Sequence, residues 1–205
     1  MKTGKYLAVL VITSIIFFSG IAIGEYLGTQ DVDRVLALQE DLQNNVAALN
    51  LQAELLETDI CDIDIFDITE EKFELGRRLE ILEVQLGYDD SDVLRLKNKY
   101  SLYAIQQYVL VERQKAQCRD SVEPILFFYD NVDELSDSRT QGYILDYVYR
   151  NNKNSVAVFA FSMNVHNPAV DTLIEKYDID SAPAIVIEGN TYEGVVTSQE
   201  ILELL

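Results

Sequence analysis

Apolar positions change spacing several times along this 205-residue chain, and each change predicts a different element. From Tyr6 to Gly24 nineteen residues pass without a charged side chain. As a helix that run spans about 28 Å, close to the hydrocarbon thickness of a bilayer. From Asp31 to about Ile60 the spacing becomes helical and amphipathic. Val35, Leu42, Leu49 and Leu56 recur every seven residues, Val32, Val46, Ala53 and Ile60 fill a neighbouring row, and no glycine or proline interrupts. The spacing predicts a second helix over 69–86, with Leu75, Leu79, Leu82 and Leu86 on one face. A third follows over 91–117 through Val93, Leu96, Tyr100, Tyr103 and Leu110. Between them Gly87 stops one helix and Asp89-Asp90 caps the next, which predicts an antiparallel helical hairpin.

Beyond residue 121 the apolar runs shorten. Val122–Tyr129 reads as a buried strand, 138–150 as a helix with Tyr143, Ile144, Tyr147 and Val148 on its apolar face, and Ser155–Phe161 as a second strand. Asn167-Pro168 supplies an N-cap and a first-turn proline for a helix ending near Tyr177. Ala184–Ile187 is a third strand, Gly189-Asn190 a two-residue turn into Thr191-Tyr192-Glu193, and Ser198–Leu205 a last helix. The order is β-α-β-α-β-β-α.

That order, with the step Ser181-Ala182-Pro183 ahead of the third strand, resembles the thioredoxin family over residues 122–205. The resemblance implies an α/β thioredoxin-like fold with a cis peptide bond at Pro183. It also implies a groove where the backbone before that proline pairs with an extended client peptide, lined by Ala182, Pro183 and the loop from Asp130 to Ser138. Family oxidoreductases carry Cys-x-x-Cys at the start of the helix after the first strand, where the helix N-terminus favours a thiolate. Here Leu135-Ser136-Asp137-Ser138 stands at that place, and Tyr129 to Arg139 contains no sulfur. Serine hydroxyls cannot exchange disulfides, so the expected role is binding of a protein or peptide client without redox chemistry.

Charge places the chain further. Sixteen basic residues against 35 acidic give −19, a surface that repels nucleic acid and anionic headgroups. Lys2 and Lys5 precede the apolar run while Glu25, Asp31 and Asp33 follow it, so the short tail is expected to stay in the cytoplasm. The expected organisation is a cytoplasmic tail (1–5), a signal anchor (6–27), an antiparallel helical stalk (28–120) and an extracytoplasmic thioredoxin-like domain (121–205). Ala22 and Gly24 are spaced like a signal-peptide cleavage site, but the apolar run exceeds the about 7–15 residues of such peptides, which favours an uncleaved anchor.

Cys61 and Cys118 lie equally far from the hairpin turn, so folding the hairpin brings them level, and an exported location permits a structural disulfide. Two rival readings stay open: a thiol-disulfide oxidoreductase working through Cys61 and Cys118, and a stalk whose seven-residue repeat supports homo-oligomers. His166, before a helix cap, reads as a surface or capping residue. Asp89-Asp90-Ser91-Asp92 lacks the spaced ligands of an EF-hand and reads as a cap. No phosphate-binding glycine loop, Ser-His-Asp order or zinc spacing is present, so no cofactor and no metal is expected.

Overall fold

A computed structural model describes the backbone of residues 3–55, 60–62, 65–118, 122–130 and 136–205, leaving out the side chains of 3–4, 7–8, 22–23, 25–31, 49–55, 62 and 65–68. The elements are α1 (Thr3–Leu55), a 3-10 turn (Ile60–Asp62), α2 (Ile65–Leu86), α3 (Ser91–Gln117), β1 (Glu123–Tyr129), α4 (Asp137–Asn151), β2 (Val156–Ser162), α5 (Pro168–Lys176), β3 (Ala184–Ile187), β4 (Asn190–Glu193) and α6 (Ser198–Glu203). The chain divides into two compact units, residues 1–37 and 38–205.

The first unit is helical. Apart from Val35, which is buried, its described large apolar side chains, among them Ile12, Ile15, Ile16, Phe17 and Phe18, are exposed. Two of the hydroxyls in this run bond back to their own helix, Thr13 to the carbonyl of Val9 and Ser19 to that of Ile16. Among the described residues no helix is long and apolar enough to cross a membrane. The span 6–24 includes four side chains outside the described set, those of Leu7, Ala8, Ala22 and Ile23.

In the second unit the strands form a four-stranded sheet in the order β2-β1-β3-β4. β1 and β2 are parallel, with Ile125 beside Val158 and Phe127 beside Ala160. β3 runs antiparallel to β1, and β4 antiparallel to β3. This mixed sheet with its helices fits an α/β thioredoxin-like domain. Side chains alternate between the faces. Ile125, Phe127 and Ile185 pack with Leu145, Val148 and Tyr149 of α4 and Ile201 of α6. On the opposite face Phe159 meets Tyr108 of α3 edge-on at 5.8 Å, and Phe128 lies 5.5 Å from Phe161. With cover on both faces, β1 is buried from Pro124 to Phe128, which explains its unbroken apolar reading.

The hairpin forms with Gly87 at φ +104 and Asp90 accepting from the N–H groups of Asp92 and Val93. Its seam buries Leu75, Leu79 and Leu82 with Val93 and Leu96, and Lys97 Nζ lies 3.3 Å from Glu83 Oε1 inside it. The hairpin read as a stalk also packs on the sheet. Tyr108 reaches Phe159 of β2, while Phe73 stacks at 4.6 Å on Tyr149 of α4, the helix that covers the other face. Phe73 and Tyr108 lie off the leucine seam, so the hairpin has a second apolar stripe to bury.

The β3–β4 turn differs from its sequence reading by one residue. Ile187 pairs with Asn190, leaving Glu188 and Gly189 as the turn, at φ +50 and +77. Both central residues of a type I′ turn need positive φ, and Asn190 instead begins β4. The last helix stops at Glu203 rather than Leu205.

Candidate functional site

Serine chemistry at the start of α4 is taken up by structure. Ser136 is the N-cap, its Oγ accepting from the N–H of Arg139 at 3.3 Å. Ser138 is buried; its Oγ donates to Asp130 Oδ1 at 2.8 Å and accepts from the Asp130 N–H at 3.2 Å. A hydroxyl therefore ties the end of β1 to α4 where the thioredoxin pattern would carry a thiol. Asp137 is exposed in the first turn, where its charge suits the helix dipole. Leu135 lies outside the described residues.

The Ala182-Pro183 peptide bond is cis. Pro183 is buried and its carbonyl accepts from the Gly194 N–H at 2.7 Å. The loop ahead of it is held by Glu193, whose Oε1 accepts from the N–H groups of Asp180 at 2.8 Å and Ser181 at 2.9 Å. Those bonds hold the Glu193 carboxyl below the ordinary carboxylate range. Ala182 is half-buried. Among the described residues neither its N–H nor its carbonyl has a hydrogen-bond partner. Sequence reasoning missed Glu193; the available signal was its register, because β4 places it opposite Ala184, next to the proline.

A cavity of about 460 Å³ opens between α2, α4 and the sheet face that carries Phe127 and Ala160. It reaches Ser136 and Ser138, so the hairpin borders the helix end that the thioredoxin resemblance singles out. Both flanking helices place a glycine there. An added Cβ at Gly76 would come 2.9 Å from the Tyr100 hydroxyl, and one at Gly142 would meet the Phe127 ring at 3.8 Å. Lys72 is 2 % exposed, sits over the Phe159 ring at 3.7 Å from the centroid, and donates to the Val158 carbonyl on the outer strand of the sheet. Burial pushes its ammonium down to about 7. Glu83 lines the cavity too, and desolvation raises its carboxyl despite the nearby Lys97.

Cys61 and Cys118 form a disulfide with Cα atoms 5.6 Å apart, joining the 3-10 turn to the end of α3. Gln114 Nε2 adds a bond of 3.2 Å to the Ile60 carbonyl. Cys61 is exposed and Cys118 half-buried. His166 is exposed, and its carbonyl accepts from Asn98 Nδ2 at 3.4 Å just ahead of the N-cap Asn167.

No protein-family model matches the sequence, and no curated protein matches it. Among solved structures the chain is distantly similar to chloroplastic thioredoxin z, at 20% identity and TM-score 0.37, covering 48% of this chain and 83% of that one. It is also similar to a malarial protein at 15% identity and TM-score 0.35, covering 41% of this chain and 93% of that one. Likeness at this level identifies neither an activity nor a partner.

Proposed function

We propose that this chain is a membrane-anchored, extracytoplasmic thioredoxin-like module that binds an extended protein segment and performs no thiol chemistry at the α4 N-terminus. The observation that carries the reading is the backbone of Ala182. It is half-exposed beside a cis-proline and unpaired among the described residues, while Glu193 fixes the preceding loop. An unpaired N–H and carbonyl two residues ahead of β3 suit strand-like addition of an extended peptide. Ser136 and Ser138, bonded within the fold, give no nucleophile. The run from Tyr6 to Gly24 supports anchoring because it carries no charged side chain, and two of its hydroxyls, Thr13 and Ser19, bond inside the helix. Hydrogen exchange on the full chain in lipid nanodiscs, with and without members of a random extended-peptide library, tests the site. Bound peptides should protect the Ala182 amide in the wild type but not in Ala182→Trp. Protection that survives the substitution, or its absence with every peptide, sinks the reading.

The exposure of Cys61 favours a second reading, an oxidoreductase whose working pair is Cys61 and Cys118. Alkylation and mass spectrometry across a glutathione series separates the two. A bond that resists reduction below about −300 mV is structural, whereas one exchanging near about −120 to −200 mV moves the chemistry to the base of the hairpin.

A further inference from the structure

We propose that the cavity between α2 and α4 binds a small aromatic carboxylate, with its ring against Phe127 and Ala160 and its carboxylate held by Arg139 and the Tyr100 hydroxyl. This goes beyond peptide binding at Ala182 and does not depend on it. The volume, about 460 Å³, is that of a small-molecule site, and most of the wall is apolar or aromatic.

The polar groups facing the space are unequally occupied. Of the cavity's four acids three are engaged, Glu83 paired with Lys97, Asp130 taking a bond from Ser138, and Asp146 clasped by Arg150 at 2.9 Å, with Glu80 the fourth. The donors have capacity left. Tyr100 is 9 % exposed, and its hydroxyl has no hydrogen-bond partner among the described residues. Desolvation pushes its phenol above the ordinary tyrosine range, so the hydroxyl keeps its proton and remains a donor. Arg139 bonds the Tyr88 hydroxyl and interacts with that of Tyr143, and its five N–H groups leave donors over. Basic residues are also concentrated here: four of the chain's 16 line the cavity, against four of its 35 acidic residues. In so acidic a protein an anion has little to gain at an average surface position, and donors without acceptors call for an acceptor-bearing ligand. Ile81 and Tyr143, 50% and 61% exposed, supply an apolar mouth.

Fluorine NMR on the full chain in detergent tests the assignment, with para-trifluoromethylbenzoate as the anionic probe and para-trifluoromethylbenzyl alcohol as its neutral counterpart, each referenced to empty micelles. Saturable one-to-one binding of the benzoate is expected. Arg139→Gln should weaken it about tenfold, the effect of losing one charged hydrogen bond, and leave the alcohol unchanged. Gly142→Leu places a side chain in the cavity from α4 and should abolish binding. Should that variant fail to fold, Ala160→Leu fills the same space from the sheet. Three results overturn the proposal: no saturable benzoate binding, binding unchanged in a folded cavity-filling variant, or alcohol bound as tightly as benzoate.

Discussion

Lys72 shows how far one residue can depart from its local sequence. In Glu70-Glu71-Lys72-Phe73 it reads as a solvent-facing lysine, yet it is buried against Phe159 and the Val158 carbonyl. Its burial depends on which side of α2 meets the sheet, and helical periodicity alone does not carry that information. The consequence for stability has a definite sign. With the folded group near 7 and the unfolded one at 10.5, the unfolded chain holds the extra proton between those values, so stability rises with pH across that window. Below about pH 7 the whole cost of burying the ammonium is present, reduced by the ring and the carbonyl. Lys72→Met should therefore stabilise the chain at pH 6 by on the order of a few kcal/mol, with the gain shrinking toward pH 10. Urea titrations at both ends of the range check this. Glu193 works in the opposite sense. Its carboxyl is held low by the Asp180 and Ser181 amides, so its contribution is present above the ordinary carboxylate range and lost as pH falls through the folded value. Glu193→Gln is expected to speed amide exchange at Asp180 and Ser181 at neutral pH, and unchanged rates would remove its role in the loop.

At the scale of elements, signals confined to a few neighbouring residues were legible. Asn167-Pro168 predicts the start of α5, and the structure has Asn167 accepting from the Ala169 N–H with Pro168 in the first turn. Gly87 and Asp89-Asp90 likewise mark the hairpin turn. The β3–β4 turn was ambiguous because Glu188-Gly189 and Gly189-Asn190 both contain a glycine, and only the pairing of Ile187 with Asn190 decides between them. That choice leaves a glutamate at positive φ, where asparagine is better tolerated. Glu188→Asn should raise stability by about 0.5 kcal/mol, measurable by thermal unfolding. The disulfide was legible from position alone. It closes a separation of 57 residues, so its loss in the double Cys→Ser variant should cost about 4 kcal/mol in the chain-entropy description. Denaturant titration of that variant against the oxidised wild type gives the value directly. The cavity was not legible, because Gly76 and Gly142 are 66 positions apart and face the same space only once α2 and α4 flank the sheet.

On the scale of the whole molecule, a net charge of −19 means that self-repulsion opposes folding at low ionic strength. Raising salt from about 0.01 M to 0.15 M shortens the screening length from about 30 Å to 8 Å, and the melting temperature should rise with it. A flat or falling response would show that local ion pairs such as Lys97–Glu83 and Lys153–Glu70 outweigh the net term. The placement of Lys72 has a second consequence at this scale. The sheet ends at β2 on one side and β4 on the other, and a lysine already occupies a carbonyl of β2. A side chain bonded to a carbonyl of an outer strand takes that acceptor away from pairing with another chain. Strand addition is therefore expected at β4 rather than at β2. Two copies joined through β4 would then expose only β2 edges, and growth is expected to terminate at a pair instead of propagating into a fibre.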